Sequence, residues 1–170
     1  MTKEWEKPED LRRRKPVLWL TMTALFMAMV VVLSMSALSI PVPGGHLYFN
    51  DVVIDTAAML MDPLSAVGSM LSDLIGGYMV YVLPTFLIKG LVALVAWKLC
   101  RKDQPLLALL SFLLAEAVMV LGYFLLEWAL YGVASAAAAI GPNVVQGIAG
   151  VLIGMLCLLI TPRLERVAKL

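Results

Sequence analysis

The sequence predicts an all-α integral membrane protein of six transmembrane helices. Both termini are expected in the cytoplasm, with a short second helix and a lid-like outer loop between helices one and two. Three observations predict this. Of 170 residues, 62% are apolar and 15% charged, against roughly 45–50% and ~25% in a soluble domain, and the mean hydropathy is +0.93. The apolar residues fall into six runs separated by prolines, glycines and charge. Finally, all but one of the 13 lysines and arginines lie where such a chain would place its cytoplasmic face. So little polar surface cannot cover a water-soluble globule. A soluble enzyme, a disordered chain and a disulfide-stapled secreted module are excluded.

The polar segment 1–16 is read as a cytoplasmic basic N-terminal stretch, 17–162 as the membrane domain and 163–170 as a cytoplasmic tail. From Val17 to about Ile40 the chain is apolar and long enough to cross a hydrocarbon layer of ~30 Å, so it is a retained helix rather than a signal peptide. Pro41, Pro43, Gly44 and Gly45 end it. Val52 to Met61 is too short to span upright. Asp62-Pro63 breaks the chain, and Leu64 to Met79 continues, interrupted by Asp73. A fourth run, Tyr81 to Cys100, carries Pro84 near its start, and Arg101 to Pro105 is a polar linker. Leu106 to Tyr131 contains Glu116 and Glu127. Gly132 to Gly141 is predicted as a small-residue loop or helix end, and Asn143 to Ile160 as the last helix, stopped by Thr161-Pro162-Arg163.

Orientation follows from the basic residues. Lys3, Lys7, Arg12, Arg13, Arg14 and Lys15 precede the first helix. Lys98, Arg101 and Lys102 surround the linker, and Arg163, Arg166 and Lys169 follow the last helix. The loops assigned to the outside, near 40–50, 78–82 and 132–142, contain none. Five or seven crossings would put a basic cluster on the wrong face.

Ionisable groups at membrane depth cost about 2.5–3.5 kcal/mol each on insertion scales and mark polar sites or pathways. The candidates are Asp51, Asp55, Asp73, Lys89, Glu116 and Glu127. Asp51 and Glu127 lie near an outer boundary, and Asp73 about a turn from it. Lys89 and Glu116 are flanked by apolar turns, and a Lys89–Glu116 pair would satisfy both or grip a polar ring ligand. The plainer alternative is that the acids pair with Lys89 inside the bundle and only hold helices together. One lysine cannot neutralise several acids.

The outer loop combines turn residues with His46, Tyr48, Phe49, Asn50 and Asp51, an assembly of stacking faces and hydrogen-bonding edges suited to a small heteroaromatic ligand. An interfacial aromatic belt explains Trp19, Trp97 and Trp128, but needs neither the amide, the acid nor the glycines. Asn143 and Gln146 are expected to place two amides at the outer end, with Pro142 at the first helical position. Gly147, Gly150 and Gly154 form a smooth face for helix contact, and Ala24 and Ala28 form a small-residue pair on the first helix. Cys100 and Cys157 read as packing residues. No Walker loop, metal-ligand set, catalytic constellation or basic aromatic face occurs. Nothing argues for an enzyme, a cofactor or a nucleic-acid partner.

These pieces resemble the S components, or substrate-binding subunits, of energy-coupling factor (ECF) vitamin transporters. Ile40-Pro41-Val42-Pro43-Gly44-Gly45 leading to Phe49-Asn50-Asp51 is similar to a segment of the riboflavin-type branch, with Asn50 where glycine is commoner. Gly76-Gly77-Tyr78 through Pro84-Thr85-Phe86-Leu87-Ile88-Lys89-Gly90-Leu91 is similar to its strongest signature. The resemblance implies outer-face capture of a water-soluble vitamin or precursor. It implies association with a transmembrane coupling (T) subunit and two ATP-binding subunits in the lipid bilayer, followed by toppling to release cargo. Ala24 and Ala28 match the coupling-subunit contact, and His46, Tyr48, Asn50, Tyr81, Lys89, Glu116, Tyr123 and Asn143 fall at pocket positions. The branch includes proteins linked to pyridoxine and to the thiamine pyrimidine precursor. With one cation, one deep acid and amides, the pocket leans towards a small pyridine or pyrimidine such as pyridoxine or hydroxymethylpyrimidine. Riboflavin or another vitamin is the alternative within the class. A proton-coupled autonomous carrier using Asp55, Asp73 and Glu116, or a ligand-free structural subunit, are the rivals outside it.

Overall fold

The computed structural model describes residues 12–36, 40–42, 45–47, 50–60, 63–101 and 104–168. For 40–42, 45–47, 59–60 and 161–168 it describes the backbone alone. Helix α1 spans Pro16–Ser34, α2 Asp51–Leu60, α3 Val67–Gly76, α4 Met79–Leu99, α5 Pro105–Tyr131 and α6 Val133–Ala168. A single 3-10 turn, Pro63–Ala66, leads into α3. Among the described residues, four helices are long and apolar enough to cross a membrane, namely α1, α4, α5 and α6 over Val133–Ile160. The other two have 10 residues each, a rise of about 15 Å.

Between α1 and α2 the loop forms a hairpin, β1 (Ile40–Val42) with β2 (Gly45–Leu47). The strands are antiparallel, with Pro41 opposite His46 and Val42 opposite Gly45. A proline is tolerated here because a two-stranded ribbon has only edge strands. The first helix therefore stops at Ser34, short of the expected Ile40, because the Pro-Gly-rich segment is taken into the ribbon. β2 lies against α6, so the hairpin folds back onto the bundle.

Helix ends follow local chemistry. Pro16 and Pro105 open α1 and α5, where a missing N–H goes unnoticed. Gly77 closes α3 at φ 82°, and the Tyr78 N–H reaches back to the Asp73 carbonyl at 2.8 Å. That left-handed closure lets α3 turn into α4 within two residues, narrower than the loop expected near 78–82.

Two expectations are corrected at the C-terminal end. Gly132, at φ 89°, is the whole connection between α5 and α6, where a loop or helix end to Gly141 was expected. The run Ala136 to Ala139 consists of the strongest helix former, so α6 begins at Val133 and Pro142 lies inside it. Proline removes a donor there. Nearby, the Asn143 side-chain amide donates to the Ala139 carbonyl at 2.9 Å. At the other end α6 passes Thr161-Pro162-Arg163 and continues to Ala168.

Within the bundle α5 packs on α4 and α6, α3 on α1 and α4, and α2 on α6, α4 and α1. Helix α2 is the innermost: Asp51, Ile54, Asp55, Ala57 and Ala58 are all buried. Helices α1 and α3 approach closely at Gly68, where an added Cβ would meet the Met27 carbonyl at 2.6 Å and Val30 at 2.9 Å. The apolar core, with Val92, Ala93, Ala96, Ala108, Phe112 and Leu158, occupies the half of the bundle near the α4–α5 linker. The other half mixes buried apolar residues such as Val53, Ile88 and Met119 with most of the buried polar ones.

Candidate functional site

The polar half is built as a ladder between the antiparallel helices α4 and α5. Stepping four residues along α4, from Tyr81 to Thr85 to Lys89, matches stepping four back along α5, from Glu127 to Tyr123 to Met119. The Tyr81 hydroxyl donates to Glu127 Oε1 at 2.7 Å. The Tyr123 hydroxyl donates to Thr85 Oγ1 at 3.3 Å. Lys89 Nζ reaches the Met119 sulfur at 2.9 Å. Four residues are about one helical turn and ~6 Å, so the rungs descend from the Gly132 end to mid-helix.

The outermost rung is complete. Glu127 accepts from Tyr81 on one side and from Ser135, at 2.7 Å, on the other. The second rung extends to α3, where Thr85 also bonds the Asp73 carboxylate.

The deepest rung gathers four helices. Lys89 is 1% exposed and pairs with Asp51 at 2.5 Å. The Gln146 amide from α6 donates to the other Asp51 oxygen and approaches the Met119 sulfur at 3.6 Å. The Tyr123 ring lies 5.5 Å from Lys89 Nζ, within cation–π range. The Lys89–Glu116 pair considered from sequence is therefore replaced by Lys89–Asp51. The reason lies in α2: its first turn enters the bundle beside α4, so Asp51 reaches the ammonium first.

Glu116 instead faces Asp55, one turn beyond Asp51 on α2, within hydrogen-bonding reach. Glycines on α6 make room for this acid group. An added Cβ at Gly150 would lie 2.7 Å from Glu116 Oε1 and 3.3 Å from Asp51 Cβ. At Gly147 it would lie 3.1 Å from Glu116 Cβ, and at Gly154 3.5 Å from Asp55 Cβ. The expected smooth face exists, and acid side chains occupy it.

The remaining predicted positions divide. Asn50 is buried and donates to Ser34 at 2.9 Å and Ser69 at 3.4 Å, tying α1 to α3. Asn143 turns its amide to its own helix. His46 is placed by its backbone on β2, and Tyr48 lies outside the described residues. Ala24 and Ala28 lie on the exposed side of α1, away from Gly68. Asp51, Gln146 and Met119 were not among the pocket positions. Asp51 adjoins Asn50 and Gln146 lies one turn beyond Asn143, so adjacency was the available signal. For Met119, a thioether among many methionines, there was none.

The profile of the family described as "ECF-type riboflavin transporter, S component" matches residues 16–162, from the start of α1 to within the last turns of α6. The chain belongs to this family. It is thus a multi-pass cell-membrane protein of a vitamin-transporter class, which is not an enzyme class. The chain is 32% identical over 168 residues to a protein of Lactococcus lactis subsp. cremoris (strain MG1363) named "Thiamine precursor transporter HmpT". That match covers 92% of this chain and 93% of the relative. It is also 35% identical over 133 residues to an "Uncharacterized protein in gap 3'region" of Pyrococcus woesei, covering 75% of this chain and 89% of that one.

Proposed function

We propose that this S component captures a small pyridine or pyrimidine, a vitamin or its precursor, from the outer face. It then delivers the cargo through a transmembrane coupling subunit and two ATP-binding subunits. The observation that carries the reading is the deep rung. A lysine, an acid, an amide, a thioether and an aromatic face converge from α2, α4, α5 and α6 at mid-helix depth, and buried ionic groups at such depth mark sites. The relative named as a thiamine precursor transporter supports a pyrimidine. Lys89, Tyr123 and Glu116 serve as the floor of this pocket, and the β1–β2 hairpin serves as its cover.

Six crossings with cytoplasmic termini suit this arrangement. Helices α2, α4 and α6 then all run inward, in keeping with Asp51 and Asp55 on α2 advancing in step with Gly150 and Gly154 on α6. The exposed Ala24 and Ala28 serve as the flat surface against which the coupling subunit packs. Because the chain carries no nucleotide-binding motif, release of a tightly held ligand draws on the coupling module: binding alone shifts populations only by differential affinity.

The test is thermal stabilisation of the purified chain across B vitamins and their precursors. One compound should raise the unfolding midpoint, and Lys89→Ala should abolish the rise. Substrate-dependent uptake into vesicles by the isolated chain would overturn the reading in favour of an autonomous carrier. Ala24→Leu with Ala28→Leu should weaken co-purification with the coupling subunit while leaving ligand stabilisation intact.

A further inference from the structure

Counting hydrogen-bond donors in the deep rung singles out one pair. Among the described residues, Asp55 and Glu116 are the carboxyl groups with both oxygens buried and no donor. They are 0% and 5% exposed. Every neighbouring element fails to supply a donor for its own reason. On α4 the Lys89 ammonium is held by Asp51 and the Met119 sulfur. On α6 Gln146 donates to Asp51, and Gly147 and Gly150 present bare helix backbone. On α2 Asp51 is another acid, and the Thr56 hydroxyl donates to the Val52 carbonyl at 2.7 Å. Buried carboxyls without donors are costly and rare, and these two acceptors face each other. Side by side, two such acceptors can satisfy one another by sharing a proton.

We infer that Asp55 and Glu116 are the acceptor for a ligand edge of the aminopyrimidine type, an exocyclic amine beside a ring nitrogen. Such an edge is the complement of a carboxyl group: the amine N–H donates to one oxygen, and the ring nitrogen takes the hydrogen bond of the acid proton. These two parallel bonds, with the second N–H of the amine donated to the partner carboxylate, replace the single bond between the acids, with no net gain or loss of protons. The paired geometry resembles the fork by which guanidinium grips carboxylate. Asp51 does not compete, since it is already saturated by Lys89 and Gln146. The inference rests on the vitamin-capture reading and names which chemical edge of the ligand points inward.

The experiment measures binding of two probes to the full chain in detergent by calorimetry. One is hydroxymethylpyrimidine, which carries the amine; the other is its analogue with a methyl group in place of the amine, which has no N–H to donate. The amine form should bind at least about tenfold more tightly, the size expected when a mismatched edge leaves buried groups unpaired. Glu116→Leu, which removes donor and acceptor together, should reduce that preference to about twofold or less. Asp55→Leu, a second and independent variant, should weaken the amine form by a similar factor. Equal affinity of the two probes for the parent chain, or an undiminished preference in a monodisperse Glu116→Leu protein, overturns the inference. If neither probe binds while riboflavin or pyridoxine does, the inference fails and the capture reading stands. If no vitamin or precursor stabilises the chain, both fall.

Discussion

Two glutamates on α5, eleven residues apart, have almost the same burial and opposite surroundings. Glu127 is 4% exposed and Glu116 is 5% exposed. Glu127 accepts a hydroxyl from each flanking helix, Tyr81 of α4 and Ser135 of α6. Glu116 has Lys89 on the α4 side, already bound to Asp51, and glycines on the α6 side. A buried acid within a membrane helix is therefore not in itself a sign of function. The balance of donors around it separates a fastener from a site.

The largest effect expected from breaking this contrast comes from Lys89→Met. It leaves Asp51 with Gln146 alone and sets Asp51, Asp55 and Glu116 together without a cation. Removing one partner of a buried pair costs about 3–5 kcal/mol. The variant should show a sharply lower unfolding midpoint in detergent. Adding Asp51→Leu should recover a large part of it, because replacing both partners by apolar groups is often neutral. A Lys89→Met protein as stable as the parent would mean that the pair holds nothing together.

Gly68→Ala and Gly150→Ala separate packing from site. At 68 the new Cβ meets backbone, the Met27 carbonyl at 2.6 Å, which cannot swing aside. A loss of about 1–3 kcal/mol is expected, as for other overpacked contacts. At 150 it meets the far end of Glu116, which can move, and alanine adds up to ~1 kcal/mol of helix propensity. Stability should therefore change little, while ligand affinity falls by about tenfold as the acid pair is displaced. Gly141→Ala, with nothing within 4 Å, is the control and should alter neither.

The elements of the bundle were legible because long apolar runs with Pro and Gly punctuation dictate where membrane helices start and stop. The exceptions have local causes. Pro142 stood out as a helix start, yet a residue's position in a helix depends on what precedes it, and the alanines before it carry the helix through. The ionisable residues of the site were also legible, since charge in an apolar run is conspicuous. Their pairing was not. Lys89 lies 38 positions from Asp51 in sequence, and the choice between Asp51 and Glu116 is made by the depth at which α2 enters the bundle. Nor could spacing reveal that the glycines of α6 make room for carboxyls rather than for another helix backbone.

The smallest effect bears on the outer rung. Tyr81→Phe keeps the ring and removes one of the two donors to Glu127, leaving Ser135 in place. A net hydrogen bond of this kind is worth roughly 0.5–1.5 kcal/mol, somewhat more when the acceptor is charged, so the midpoint should fall modestly. If the rung is only a fastener, affinity for the captured compound should stay within about twofold of the parent. Tyr81 fell at a pocket position by resemblance, so the same variant also asks how far the pocket extends. A tenfold loss of affinity at near-parental stability would carry the ligand site up the ladder by two turns, and Glu127 would then belong with Glu116. Unchanged affinity would confine the site to the rung where donors run out.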